Sequence, residues 1–273
     1  HSLSRRQRQM CIRDRYQTMQ NSLFRLDGQV ALVTGCRRGI GLAMADALAE
    51  AGADIIGISA TLNPSNSAVG EAIRRRGRRF CGYRCDLSDR NAVDLVLEEV
   101  LSQHPVIDVL VNNAGIVRRS PAEDHSDALW DMVLEVNLSA AFRVSRRIGG
   151  SMLANGRGSI ISTASILSDQ GGLNVAGYAA SKAGLANLTR SLANEWAGRG
   201  VRVNAIAPGY VDTEMTAVLQ SDPVRSRQIL ERIPAGRFGS PEDLRGPVVF
   251  LASNASRYVH GETLVVDGGW MGR

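Results

Sequence analysis

The sequence predicts an α/β protein, a single Rossmann-type, doubly wound parallel sheet of about seven strands flanked by helices. Short apolar runs rich in strand formers alternate along the chain with longer helical patterns. A glycine-rich turn separates the first apolar run from the first helical one. The composition agrees, because 273 residues with 44% hydrophobic and only 5% aromatic content suit one α/β domain with a large core.

The elements follow in order. Val30–Thr34 is the first strand, and the glycine turn Gly35 to Gly41 leads from it into a helix over Leu42 to Ala51. Further strands are expected at Asp54–Ser59, Arg79–Arg84, Val106–Asn112, Gly158–Thr163, Val201–Ala207 and Thr263–Asp267. Helices are expected at Asp89–Gln103, Ser126–Met152, Tyr178–Ala197 and Pro241–Ala252. Between the sixth strand and the last helix, Pro208 to Pro223 opens with Pro-Gly and continues with polar and small residues, as a mobile segment over a site would. The chain has no internal repeat, no low-complexity linker and no apolar run long enough to span a bilayer.

Residues 1–18 stand apart from that domain, which is expected over 19–273. They carry five arginines and one aspartate without an apolar period, and they precede a credible start at Met19. The whole chain carries a formal +5, from 32 Lys and Arg against 27 Asp and Glu; without those residues the balance is 27 against 26. The basic charge therefore belongs to the tail, which reads as a non-native extension, with an Arg-rich transit peptide or a nucleic-acid arm as alternatives.

The four cysteines, Cys11, Cys36, Cys81 and Cys85, have no paired spacing that fits zinc, and the four histidines are scattered, so no metal site is expected. No secretory signal pattern is evident, which points to a reducing cytoplasm.

Chemistry concentrates at a few positions. Tyr178 and Lys182 lie four residues apart on a predicted helix and so share a face. An ammonium beside a phenol that ordinarily titrates near ~10 lowers its pKa, making Tyr178 a candidate general acid and base. The spacing Gly35-x-x-x-Gly39-x-Gly41, between a strand and a helix, lets backbone N–H groups approach a pyrophosphate. The fourth strand ends in Asn112-Asn113-Ala114-Gly115, and ligands of open α/β sheets bind at such carboxyl ends. Ser165 follows the fifth strand, where its hydroxyl could hold a substrate oxygen or simply form a turn.

Together these motifs resemble the short-chain dehydrogenase/reductase family, from about Leu26 to the C-terminus. The resemblance implies a catalytic set of Asn137, Ser165, Tyr178 and Lys182. It implies dinucleotide binding by Gly35, Gly39, Ile40 and Gly41, by Asn113, Ala114 and Gly115, and by Pro208, Gly209, Val211 and Thr213. Tyr178 and Lys182 would also contact the nicotinamide ribose, and Asn137 would hold a water that relays protons to Lys182. Asp86, with Leu87 after it, matches the adenine-contacting position, although Asp86 also reads as a loop residue of N-cap type. Assembly as a homotetramer, through the long helices after the fourth and fifth strands and through the last strand, is a family expectation. The apolar series Leu185, Leu188 and Leu192 would face a core or a partner helix.

Ser59 stands where an acid would grip an adenosine ribose, and no carboxylate there would repel a 2′-phosphate. Arg37 and Arg38 could pair with that phosphate, which leans toward NADP(H). A narrower likeness, in Asn113 to Arg119, Asp169 to Gly172, Ala193 to Ala197, Ile233 to Arg237 and Val265 to Trp270, is to the sugar-acid branch of the family, which prefers NAD(H). The cofactor choice stays open between the two.

A sugar acid brings a carboxylate and hydroxyls. Arg118 and Arg119 are candidates for the carboxylate or for the surface, Gln170 for a hydroxyl, and Tyr210 with Glu214 and Met215 for shaping specificity. The expected partner is thus a small-molecule sugar acid, with neither nucleic acid nor membrane. Reduction of a 3-oxoacyl thioester, which would call for a basic patch at the site's mouth, and a non-catalytic dinucleotide-binding protein are the alternatives.

Overall fold

The computed structural model describes residues 23–273, so the extension expected over residues 1–18 lies outside the described part. Seven parallel strands form one sheet in the order β3-β2-β1-β4-β5-β6-β7. They are β1 Val30–Thr34, β2 Asp54–Ser59, β3 Phe80–Arg84, β4 Val109–Asn112, β5 Gly158–Thr163, β6 Val201–Pro208 and β7 Thr263–Val266. Chain order reverses between β1 and β4, which pair with Leu32 opposite Leu110.

Both faces of the sheet are covered, and this explains why the central strands read as continuous apolar runs rather than as alternating ones. Ala31, Val33 and Ile55 point into one layer with Met44, Leu48, Val248 and Leu251. Leu32, Ile56 and Ile58 point into the other with Leu97, Val144, Ile148 and Trp196. A Cβ on Gly149 would lie 2.6 Å from the Trp196 ring, so the bare helix surface there is what lets the indole pack.

The helix starts obey local chemistry. The Asp89 carboxylate accepts from the backbone N–H groups of Asn91 and Ala92, opening the helix Arg90–Gln103. Asp222 does the same for Val224 and Arg225, with Pro223 in the first turn of Pro223–Arg232. The glycine turn leads into Gly39–Glu50, three residues earlier than the apolar pattern suggests.

One expected helix is different in kind. The stretch predicted as a single helix over Ser126–Met152 is Asp127–Leu134, a π-turn over Glu135–Ser139, and Ala140–Ala154. The wider turn is held by side chains. Glu135 is gripped by Arg90 at 2.6 Å and Arg143 at 2.8 Å, and Asn137 bonds sideways to another segment.

In the helix Ala176–Trp196, Leu185 and Leu192 are buried, and half-buried Leu188 borders an open groove with Leu138 and Phe142. The Pro208–Pro223 segment carries a short helix, Ala217–Ser221, and Thr216 Oγ1 donates to Val211 O at 2.6 Å. No helix among the described residues is long and apolar enough to cross a membrane.

Trp196→Ala removes an indole buried in the second of these layers, against Gly149. Denaturant unfolding should show a loss of about 3–5 kcal/mol, the range for emptying a buried aromatic site.

Candidate active site

A cavity of about 530 Å³ opens at the carboxyl ends of β1, β4, β5 and β6, where strand order reverses. The glycine turn forms one wall. Gly35 and Gly39 have φ of +66° and +56°, which a side chain would strain. A Cβ on Gly41 would fall 2.2 Å from Gly35 O, so three glycines keep this wall as bare backbone. Such a cradle, beside the start of a helix of twelve residues, fits a pyrophosphate.

Arg37, Arg38 and Ile40 line the cavity with the glycines. Ser59, Asp86 and Leu87 border it from the ends of β2 and β3, and Asn113, Ala114 and Gly115 from the end of β4. Ser165, Tyr178 and Lys182 lie on its floor, and Pro208, Gly209, Val211 and Thr213 close another side. Asn137 stands just behind, 3.3 Å from where a Gly115 Cβ would be.

Asn113 locks the wall to the sheet. Its Nδ2 donates to Thr34 O at 3.2 Å and Gly35 O at 3.3 Å, and its Oδ1 accepts from Thr163 Oγ1 at 3.3 Å. Thr34 Oγ1 in turn accepts from the backbone N–H groups of Asn113 and Ala114 at 3.0 and 3.1 Å. The ends of β1, β4 and β5 are therefore one hydrogen-bonded unit.

On the floor, Lys182 is the only lysine of the chain and is 3% exposed. Its Nζ donates to Thr163 O at 2.6 Å and sits 5.7 Å from the centre of the Tyr178 ring. Burial pushes the Lys182 ammonium down to about 8.

The expectation that Lys182 lowers the Tyr178 pKa does not hold in this structure. Burial raises the phenol above its ordinary value, and the groups that oppose the rise are the Ser165 hydroxyl and the Arg119 charge. Lys182 donates to a carbonyl oxygen and is itself poorly solvated, so it has lost its proton before the pH at which the raised phenol titrates.

Ser165 is both turn former and site lining. Its Oγ accepts from Leu167 N at 3.1 Å, and Ser168 Oγ returns the bond from Ser165 N at 3.2 Å, a capping box. Ser168 also donates to Lys182 O at 2.9 Å, tying the serine loop to the tyrosine helix.

Asn137 is bonded at both ends of its amide. From the π-turn its Oδ1 accepts from Ile116 N at 2.8 Å, and its Nδ2 donates to Ile116 O and Ser181 Oγ at 2.9 and 3.0 Å. Ser181 then donates to Tyr178 O at 2.7 Å.

The sequence-predicted substrate contacts separate. Arg119 acts on the Tyr178 phenol through its charge and donates to Met215 O at 3.1 Å, bridging the site to the Pro208–Pro223 segment. Arg118 turns away, toward Val117 O and Met132 Sδ. Tyr210 stacks edge-on against Trp270 and Phe238 and lines a neighbouring recess of about 220 Å³. Gln170 Oε1 accepts from the Trp270 indole at 2.9 Å.

Glu214 pairs with Arg38 across the mouth. At the adenosine end, Ser59 Oγ lies 3.7 Å from Cys36 Sγ, and burial raises that thiol to about 11, so it stays protonated. Sequence reasoning missed Ser168 and Ser181. Their signals were present, Ser168 three residues after Ser165 and Ser181 beside Lys182.

The chain matches the family model described as Enoyl-(Acyl carrier protein) reductase over residues 35–271. It is 57% identical over 250 residues to a 2-dehydro-3-deoxy-D-gluconate 5-dehydrogenase of Pseudoalteromonas atlantica, covering 92% of this chain and 98% of that one. A 3-oxoacyl-[acyl-carrier-protein] reductase of Escherichia coli is 40% identical over 243 residues, 89% of this chain and 97% of that one. Among solved structures, a putative NAD(P) dependent gluconate 5-dehydrogenase from Beutenbergia cavernae, with bound NADP at low occupancy, is 50% identical with a TM-score of 0.88. That match covers 92% of this chain and 100% of that one.

The buried ammonium makes a stability prediction. Below pH 8 Lys182 is charged in both folded and unfolded chains, so its desolvation weighs fully on the folded state. From about 8 toward the ordinary 10.5 the folded chain sheds the proton first and the penalty fades. Lys182→Met should therefore stabilise the protein at pH 7 by about 1–3 kcal/mol. Denaturation followed against pH should show that gain shrinking through the same window.

Proposed function

The chain belongs to the short-chain dehydrogenase/reductase family, and from that premise we propose that it interconverts an alcohol and a ketone on a deoxy keto sugar acid with NAD(H) or NADP(H). The substrate this reading favours is 2-dehydro-3-deoxy-D-gluconate, oxidised at carbon 5. The observation that carries it is the 57% identity over 98% of a relative named for that activity. A tyrosine, a serine and a buried lysine gathered on the floor of one cavity support it.

The glycine wall would hold a dinucleotide, which would supply or accept the hydride. Tyr178 donates its phenolic proton to the substrate oxygen during reduction and takes it back during oxidation. Its raised pKa keeps the phenol protonated near neutral pH, the form a general acid needs. Ser165, whose hydroxyl adjoins the phenol, holds the same oxygen. Lys182 accepts and returns protons readily at its lowered pKa, and it would hold the ribose hydroxyls of the dinucleotide. The Asn137 turn positions Lys182 and Tyr178 through Ser181. Arg119, whose charge reaches the phenol, binds the substrate carboxylate.

Ser59 and Arg38 make the adenosine end compatible with a 2′-phosphate. A homotetramer in the cytoplasm belongs to the same reading, supported by exposed Phe142 beside the groove of the two long helices.

Exposed Arg37 and Arg38 at the mouth also suit an acidic acyl carrier, so a 3-oxoacyl thioester reductase is the second reading.

One assay separates these readings. Nicotinamide absorbance should change with 2-dehydro-3-deoxy-D-gluconate and not with acetoacetyl thioesters; the reverse pattern would establish the second reading. In that assay Tyr178→Phe should abolish turnover while dinucleotide binding survives. Arg38→Ala should raise KM for NADP(H) about tenfold and leave KM for NAD(H) little changed, as loss of one charge-assisted phosphate contact implies.

A further inference from the structure

We propose that Trp270, near the C-terminus, is a positioning residue for substrate recognition, acting by fixing which end of the Gln170 amide faces the substrate. This rests on the sugar-acid reading and goes beyond it, by naming how one recognition contact is given its polarity.

A glutamine amide has a donor end and an acceptor end of nearly the same shape, so an unanchored one can present either. An indole N–H can only donate. Because Trp270 Nε1 lies 2.9 Å from the Gln170 amide, the atom facing it must be the carbonyl oxygen Oε1. The NH₂ end is thereby turned outward. Among the described residues that nitrogen has no hydrogen-bond partner and is not one of the buried unpartnered atoms, so it is available to a ligand.

Trp270 is itself held from several sides. It is 6% exposed and packs with Ile166, Ile229 and Ile233. The Arg232 guanidinium lies 4.0 Å from its ring centre, and the Tyr210 ring meets it at 4.8 Å and 61°. A ring held by these contacts does not swing its N–H away from Gln170.

The location links this clamp to the cavity. Ile166 directly follows Ser165, and Tyr210 directly follows Gly209; Ser165 and Gly209 both line the cavity. Trp270 therefore ties together the two segments that leave β5 and β6 beside Tyr178. Gln170, on the first of these segments, offers two N–H donors to an oxygen of the substrate. Sugar acids carry carboxylate and hydroxyl oxygens, all acceptors. A glutamine pinned donor-outward favours them over a group that can only donate.

The test is a double-mutant cycle on the full chain, with 2-dehydro-3-deoxy-D-gluconate as substrate and dinucleotide affinity and thermal midpoint measured alongside. Gln170→Glu keeps an acceptor for Trp270 but replaces the donor by a negative acceptor, so KM should rise about tenfold or more with kcat little changed. Trp270→Phe frees the amide to rotate, and KM should rise about threefold to tenfold. In the Gln170→Glu background Trp270→Phe should add less than about twofold, because its effect runs through the glutamine. Dinucleotide affinity should be unchanged throughout.

Equal KM in wild type and Trp270→Phe would overturn the inference. So would additive effects in the double variant, or a dinucleotide affinity that falls in parallel with KM. A wild-type enzyme silent on sugar acids would instead remove the reading on which the inference rests, a failure visible before any variant is made.

Discussion

The Asn113 side chain is the constraint on which the rest of the site depends. At the point where sheet order reverses, two strands diverge and leave their carboxyl ends open, and an open end would leave polar backbone unpaired. Asn113 and Thr34 satisfy those groups reciprocally, joining β1 to β4, while Thr163 adds β5. The glycine turn is thus fixed relative to the strand that carries Ser165 at its end. Gly35 and Gly41 are required by the same packing, since a Cβ on either would meet Ala114, Gly35 or Asn113.

A second network sits one layer deeper and holds the helix of Tyr178 and Lys182. Asn137 reaches Ile116 and Ser181, Ser181 reaches Tyr178 O, and Ser168 reaches Lys182 O. Each link is a side chain bonding to backbone or to another buried hydroxyl, so the polar groups are satisfied without water from solvent. Within that dry setting the lysine is driven toward neutrality and the phenol toward protonation. Folding therefore tolerates a buried ammonium that costs stability.

Much of this was legible in the sequence because it is local. The strands β1, β2 and β5 fall at their expected bounds, since each is a short apolar run closed by glycine or by a polar turn. The glycine spacing and the Tyr178–Lys182 interval located residues that do share one cavity. What was illegible is long-range. The π-turn at Asn137 depends on Arg90, Arg143 and Ile116, none of which a helical period reports. The sign of the Tyr178 shift is set by how deeply the phenol is buried, and sequence spacing gives only the face it shares with Lys182. Arg118 and Arg119 are indistinguishable as neighbours in sequence, yet one faces Met132 and the other acts on the phenol. Gln170 and Trp270 are 100 residues apart, so their bond left no local trace.

The most direct test of the central claim, that this cavity passes a hydride to a sugar acid with Tyr178 supplying the proton, is isotope transfer. Reduced dinucleotide deuterated at the nicotinamide carbon 4 on the transferable face is incubated with the 5-keto form of 2-dehydro-3-deoxy-D-gluconate, and the product is weighed by mass spectrometry. The account predicts one deuterium at carbon 5 with the wild-type protein and none with Tyr178→Phe. An unlabelled sugar acid from the wild type, with deuterium delivered instead to a 3-oxoacyl thioester, would contradict it.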